Sequence, residues 1–115
     1  MINFESINFA PLQQLMVILL VFIFIDIATG FLKALVKKCL DSTKMREGLM
    51  KKFFEVVVCV VAFLLDKMIG IDKLSQMTII FYCVEEALSI LENTAEYMPY
   101  PAVIKNLLEQ LKSKK

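Results

Sequence analysis

The sequence predicts an all-α membrane protein with three transmembrane helices, N-terminus outside and C-terminus inside, followed by a C-terminal amphipathic helix. The first observation is composition, because the 115 residues are 58% hydrophobic and only 22% charged, which is unusual for a water-soluble domain. The second is a series of three long apolar stretches, and the third is a final segment with one apolar face. We expect a single membrane domain, 1–115, with helices at about 12–36, 53–71 and 74–96 and an amphipathic helix at about 101–112.

Composition excludes several classes of function. Histidine is absent, which removes imidazole bases, Ser-His and Cys-His nucleophile pairs and His-ligated metal sites. The net charge of +1 provides no basic field for nucleic acid. The three widely spaced cysteines, Cys39, Cys59 and Cys83, indicate neither a disulfide framework nor a zinc site. We therefore expect no enzyme, no cofactor, no metal and no nucleic-acid partner.

The first apolar stretch, Leu15 to Leu32, carries one charge, Asp26. At about 1.5 Å per residue its eighteen residues cover roughly 27 Å, close to the bilayer core of about 30 Å. The segment before it has no Lys or Arg and contains Glu5, which is unlike a signal peptide. The stretch predicts a transmembrane helix that stays attached.

The second stretch, Phe53 to Ile71, is long enough to span as well. Its core from Val56 to Leu65 is rich in β-branched valine and also suits a buried strand, but no second strand-like segment offers a partner, so we expect a helix.

The third stretch, Leu74 to Leu91, contains Glu85 and Glu86. Two acids within a span cost on the order of 5 to 7 kcal/mol, and the apolar side chains return only about 3 kcal/mol. This helix therefore either lies on the surface or crosses with the help of the other two.

Loop charge decides between these alternatives. Residues 37–52 hold six basic and two acidic side chains, which places this segment in the cytoplasm. The C-terminal tail is also basic, and only a third span returns it to the same side. Three spans are therefore favoured.

The final helix follows the sequence Met98-Pro99-Tyr100-Pro101, with Pro101 suited to be its first residue. Its apolar face is opposite a face of lysine, asparagine, glutamate and glutamine. One interpretation is an interfacial helix on the inner leaflet; the other is an arm for oligomerisation or gating.

A polar stripe runs along the third helix at spacings of three and four residues, and it cannot face lipid. Because four carboxylates exceed the cations that face them, we interpret it as a water-lined, pore-lining or inter-subunit surface rather than a dry helix seam. Its members are Ser75, Thr78, Tyr82, Glu85, Ser89, Glu92 and Glu96, widened by Glu86 and Asn93.

Weaker polar faces on the first two helices are interpreted as buried seams. On the second helix the face runs through Glu55, Cys59, Ala62 and Asp66. On the first it contains Asp26 and Lys33, beside a small-residue contact at Gly30 and Ala34. Pairing of Lys33 with Glu92 or Glu55 is a further hypothesis. The intramembrane charges are thus Asp26, Lys33, Glu55 and Asp66.

Several segments carry a family resemblance. They are Asp26 to Ala34, the basic segment with Ser42 and Gly48 to Lys52, Asp66, and Glu86 to Asn93 followed by Pro99-Tyr100-Pro101 and a basic amphipathic helix. Together they resemble the bacteriophage holin family, which includes holin-like proteins of clostridial toxin loci. The chain departs from that pattern at Glu85, where asparagine is expected, and at Tyr97-Met98, where glycine is common.

The resemblance implies a protein that accumulates in the bacterial cytoplasmic membrane, self-associates and opens holes at a set time. Its partners are then the lipid bilayer and copies of itself, and an endolysin or a toxin is released without required direct contact. The alternatives are a small ion- or proton-coupled transporter and an accessory subunit of a membrane complex. The predicted line of acids, rather than a single site, and the lack of tryptophan disfavour the transporter.

Overall fold

The computed structural model describes residues 11–95, 97–98 and 101–113. Within these ranges the chain is all-helical, as predicted. Helices α1, α2 and α3 are about 37, 42 and 33 Å long by helical rise, so each is long enough for a bilayer core of about 30 Å. The helices are α1 (Leu12–Val36), α2 (Ser42–Ile69), α3 (Lys73–Thr94) and α4 (Ala102–Ser113).

Helix α2 begins at Ser42, well before the expected start at residue 53, so most of the predicted basic loop is helical. The Asp41 carboxylate accepts hydrogen bonds from the backbone amides of Thr43 (2.9 Å) and Lys44 (3.4 Å). This N-cap satisfies amides that have no partner within the helix. The charged, polar composition of this segment favours a loop, but Asp41 caps a helix that begins at Ser42.

The turn between α2 and α3 comprises residues 70–72, close to the expected boundary between the helices at 53–71 and 74–96. Gly70 has φ +84°, a left-handed conformation that glycine adopts without steric cost. The amides of Gly70 and Ile71 both donate to the carbonyl of Asp66, at 2.8 and 3.0 Å. This closure ends α2 and directs the chain straight back along α3.

Helix α3 packs against both α1 and α2. A small apolar core joins the three helices and comprises Leu15, Leu19, Ile23, Cys59 and Ile79. The polar face predicted for the second helix is its buried face, with Glu55, Cys59, Ala62 and Asp66 inside. Large apolar side chains lie outside instead: Phe24 is 73% exposed and Met68 is 82% exposed.

Two helices, α1 and α3, are long and apolar enough to cross a membrane by length and composition. The expected span within α2 is not among them, because Glu55, Asp66 and Lys67 interrupt its apolar segment. Helix length and composition therefore support two of the three expected transmembrane helices.

Helix α4 follows Pro101, whose carbonyl accepts a hydrogen bond from the Lys105 amide at 3.1 Å. Pro101 thus precedes the helix rather than forming its first residue. The apolar face predicted for this helix contains Val103, Ile104 and Leu107, and all three are exposed. The described part of that face is not covered by the rest of the chain.

Candidate functional site

A buried cluster of charges joins the three long helices at one level. The Lys52 ammonium of α2 lies 2.6 Å from Asp26 Oδ2 of α1 and 2.9 Å from Glu86 Oε2 of α3. Asp26 is 7% exposed and Glu86 is 3% exposed. Charge-assisted hydrogen bonds of this length are strong, and buried carboxylates require such a partner. We call these three residues the Lys52 cluster.

The cluster extends along α3 to Asn93. The Asn93 side-chain amide donates to Asp26 Oδ1 and to Thr29 Oγ1, both at 3.0 Å. Gly30 lies beside this contact: a Cβ there would be 3.5 Å from Asn93 Nδ2, an ordinary van der Waals distance. Of the two residues in the expected small-residue contact, Gly30 therefore faces α3.

Beside the Lys52 cluster lies a polar cavity of about 210 Å³, which we call the acidic cavity. It collects carboxylates from all three long helices. Glu55 is only 5% exposed, and its Oε2 atom has no hydrogen-bond partner among the described residues. Within the described chain no group of three or more His, Cys, Asp or Glu side chains is placed to hold a metal ion. The cavity is lined by Asp26, Lys51, Lys52, Glu55, Glu85, Glu86, Leu88, Ser89 and Glu92.

The predicted stripe on α3 divides between different surroundings. Glu86 and Asn93 bond within the chain, as described above, and Ser75 is buried. The Thr78 hydroxyl donates to the Leu74 carbonyl of its own helix at 2.7 Å, and Tyr82 packs against the apolar core. Glu85 and Ser89 are half-buried at the acidic cavity, Glu92 is exposed there, and Glu96 lies outside the described residues.

The lysine that enters the bundle is Lys52, and the ion pairs that the described residues form there do not use Lys33. The sequence contains a pattern that places Lys52 on the buried face of α2. Lys52, Glu55 and Cys59 follow helical spacing, so they share one face once α2 is extended upstream of residue 53. When residues up to 52 are expected to form a loop, Lys52 is not assigned to this helical face.

At the other end of the bundle, Asp66 ties α2 to α3. Its Oδ2 atom accepts hydrogen bonds from the Ser75 amide (2.8 Å) and the Ser75 hydroxyl (2.5 Å). Both residues are buried, and the contact spans the Gly70 turn. It therefore holds the two helices side by side where the turn joins them.

Replacing Ser75 with alanine is expected to lower the free energy of unfolding by about 1.5 to 3 kcal/mol, because a buried carboxylate loses a charge-assisted hydrogen bond. Thr78→Val is the matched control, since it also removes a hydroxyl from α3 but breaks only a bond within that helix. Thermal unfolding in detergent measures both. Equal effects of the two substitutions would show that the hydrogen bond from Ser75 to Asp66 stabilises the bundle no more than a bond within one helix.

Comparison with known proteins shows similarity over nearly the whole chain. A family model described as the bacteriophage holin family matches residues 4–113. An uncharacterized 14.9 kDa protein from the nagH 3' region of Clostridium perfringens is 40% identical over 103 residues, 87% of this chain and 78% of the relative. No solved structure matches.

Two further relatives come from Bacillus and one of its phages. A probable holin of Bacillus phage phi105 is 34% identical over 118 residues, which cover 96% of this chain and 87% of the relative. The uncharacterized protein YqxH of Bacillus subtilis is 30% identical over 121 residues, 99% of this chain and 86% of the relative.

Proposed function

The chain belongs to the bacteriophage holin family, and from this we propose that it is a holin of the bacterial cytoplasmic membrane. In this proposal copies of the chain accumulate, self-associate and open holes at a set time. The holes release an endolysin or a toxin, which does not have to touch the holin. The protein acts by making the hole rather than by catalysis.

One structural observation supports this function above the others: beside its small apolar core the bundle buries charged side chains, and it exposes large apolar ones. Glu55, Asp66 and Glu86 are buried, whereas Phe24, Phe53 and Met68 are largely exposed. Water favours the opposite distribution, because burial of apolar surface drives folding. A bilayer favours this one, because charges within it must face other helices or water.

The same distribution supports three spans. Glu55 and Asp66, which interrupt the apolar segment of α2, lie on its buried face. They therefore do not meet lipid when α2 crosses together with α1 and α3. Residues 37–52 are basic, which favours an external N-terminus and an internal C-terminus. Helix α4 then lies on the inner leaflet through its exposed apolar face.

The proposed mechanism uses those residues of the α3 polar stripe that lie outside the Lys52 cluster. Glu85 and Glu92 line the acidic cavity from α3, where Glu85 is half-buried and Glu92 is exposed. A carboxylate that faces hydrocarbon is energetically costly. An isolated copy in the bilayer is therefore disfavoured, and copies associate so that Glu85 and Glu92 face shared water. Association then depends on concentration, and opening follows a lag during which the protein accumulates.

Expression in bacteria tests the proposal. Potassium and a folded cytoplasmic reporter enzyme are measured in the medium as the protein accumulates. We expect both to leave abruptly after a lag. Release of potassium alone contradicts holes of protein size. Release of neither, despite accumulation in the membrane, contradicts the holin proposal and favours an accessory subunit or a transporter.

A further inference from the structure

A groove runs between α1 and α2 and meets the acidic cavity at Asp26, Lys52 and Ser89, which line both spaces. Two adjoining cavities form it, of about 320 Å³ and about 360 Å³. Both are lined by Gly30, Ala34 and Met45, so they are parts of one space. We call it the α1–α2 groove.

The groove exists because both walls carry glycine and because α1 and α2 pack mainly against α3. Gly30 stands on α1 and Gly48 on α2. A Cβ at Gly48 would meet nothing within 4 Å, so there is free space in front of it. A larger residue at this position can therefore fill the groove without moving the backbone.

The two parts of the groove differ in chemistry. The inner part is lined mainly by apolar side chains, among them Ile27, Phe31 and Leu49. The charges at its far end, Asp26 and Lys52, are paired with each other at 2.6 Å. An apolar ligand therefore meets no unsatisfied charge there.

The mouth of the groove is basic. It is lined by Lys33 and Lys37 of α1 and by Lys44 of α2. One acid, Asp41, also lines it, but its carboxylate accepts the amide hydrogen bonds that begin α2. The formal charges of the three lysines and one aspartate that line the mouth sum to +2, which favours an anion there.

The surroundings and length of the groove point to a lipid. Val36 and Leu40 beside the mouth are exposed apolar side chains, as expected at the edge of a bilayer. From Ala34 to Asp26 the groove extends about 12 Å by helical rise, less than half of a bilayer core of about 30 Å. One acyl chain within a single leaflet fits that length.

We propose that the α1–α2 groove binds an anionic phospholipid. The lysines of the mouth bind its phosphate, and one acyl chain lies along Phe31, Met45 and Leu49. Basic pockets between helices at the cytoplasmic surface have the charge that anionic headgroups require. The inference goes beyond hole formation, since it requires only that the chain resides in a membrane.

Native mass spectrometry of the full chain in a neutral detergent tests the site. The protein is titrated with phosphatidylglycerol or with phosphatidylcholine of the same acyl chains. We expect a phosphatidylglycerol adduct at roughly tenfold lower lipid concentration, because only that headgroup has a net negative charge for the lysines to bind. Equal binding of the two lipids would overturn the proposal.

Two matched pairs of variants locate the adduct. Lys33→Gln with Lys44→Gln is expected to reduce phosphatidylglycerol binding to the phosphatidylcholine level, whereas Lys67→Gln with Lys105→Gln removes the same charge elsewhere and leaves it unchanged. Gly48→Leu is expected to abolish the adduct at constant charge, whereas Gly48→Ala, which adds only a Cβ, retains it. Circular dichroism checks the fold, which leucine supports because its helix propensity exceeds that of glycine.

Other results would overturn the proposal in distinct ways. Full competition by inorganic phosphate would indicate a phosphate site instead of a lipid site. Equal losses from the two lysine pairs would indicate unspecific attraction by charge. An adduct that survives Gly48→Leu while oligomers dissociate would show that the groove is a contact between copies of the chain.

Discussion

Replacing Lys52 with methionine is expected to destabilise the helix bundle by on the order of 3 to 5 kcal/mol, because two buried carboxylates lose their cation. Asp26 and Glu86 lie on different helices, and Lys52 is the cation within 3 Å of both. Their repulsion then opposes the packing of α1 against α3. Thermal unfolding in detergent and the amount of protein in membranes measure the effect.

The neighbouring Lys51 provides the matched control, since it is exposed and one residue away. Lys51→Met removes the same charge and is expected to change stability by less than about 1 kcal/mol. Combining Lys52→Met with Asp26→Asn and Glu86→Gln is expected to recover much of the loss, because no buried charge is then left alone. If Lys51→Met and Lys52→Met behave alike, the cluster does not hold the helices together.

Replacing Glu85 and Glu92 with leucine is expected to abolish release of the reporter enzyme while the chain still folds and inserts. Both residues line the acidic cavity, and the Lys52 cluster does not include them. Without these carboxylates this face of α3 is stable in lipid. Association of copies around water then no longer lowers the free energy. Release of the reporter and membrane content, measured in the same culture, separate function from accumulation.

Two further variants control this experiment. Glu47→Leu removes an exposed acid near the start of α2 and is expected to leave release unchanged. Glu86→Leu removes a partner of Lys52 and is expected to reduce the amount of folded protein. Normal timing of release from the Glu85→Leu, Glu92→Leu protein would contradict the proposed role of these acids.

Much of the helical framework was predictable, because periodic patterns and turn residues act locally. The apolar stretch at 15–32 predicts α1, and the spacing of Glu55, Cys59, Ala62 and Asp66 predicts the buried face of α2. The start of α2 was missed, because the Asp41 cap lies within a charged segment that resembles a loop. That error also hid Lys52, which belongs to the same face of α2.

The sequence by itself determined the helical class, the apolar exterior and the membership of the bacteriophage holin family, because each depends on residue types and on their spacing along one helix. The tertiary structure alone decided which polar residues meet. Lys52 binds carboxylates 26 and 34 positions away along the chain, and no spacing within a helix specifies such pairs. The rotation of α1 and α2 about their axes against α3 decides these contacts. It turns Glu86 towards Lys52 and leaves Glu92 exposed. It also places Gly30 and Gly48 at the groove between α1 and α2.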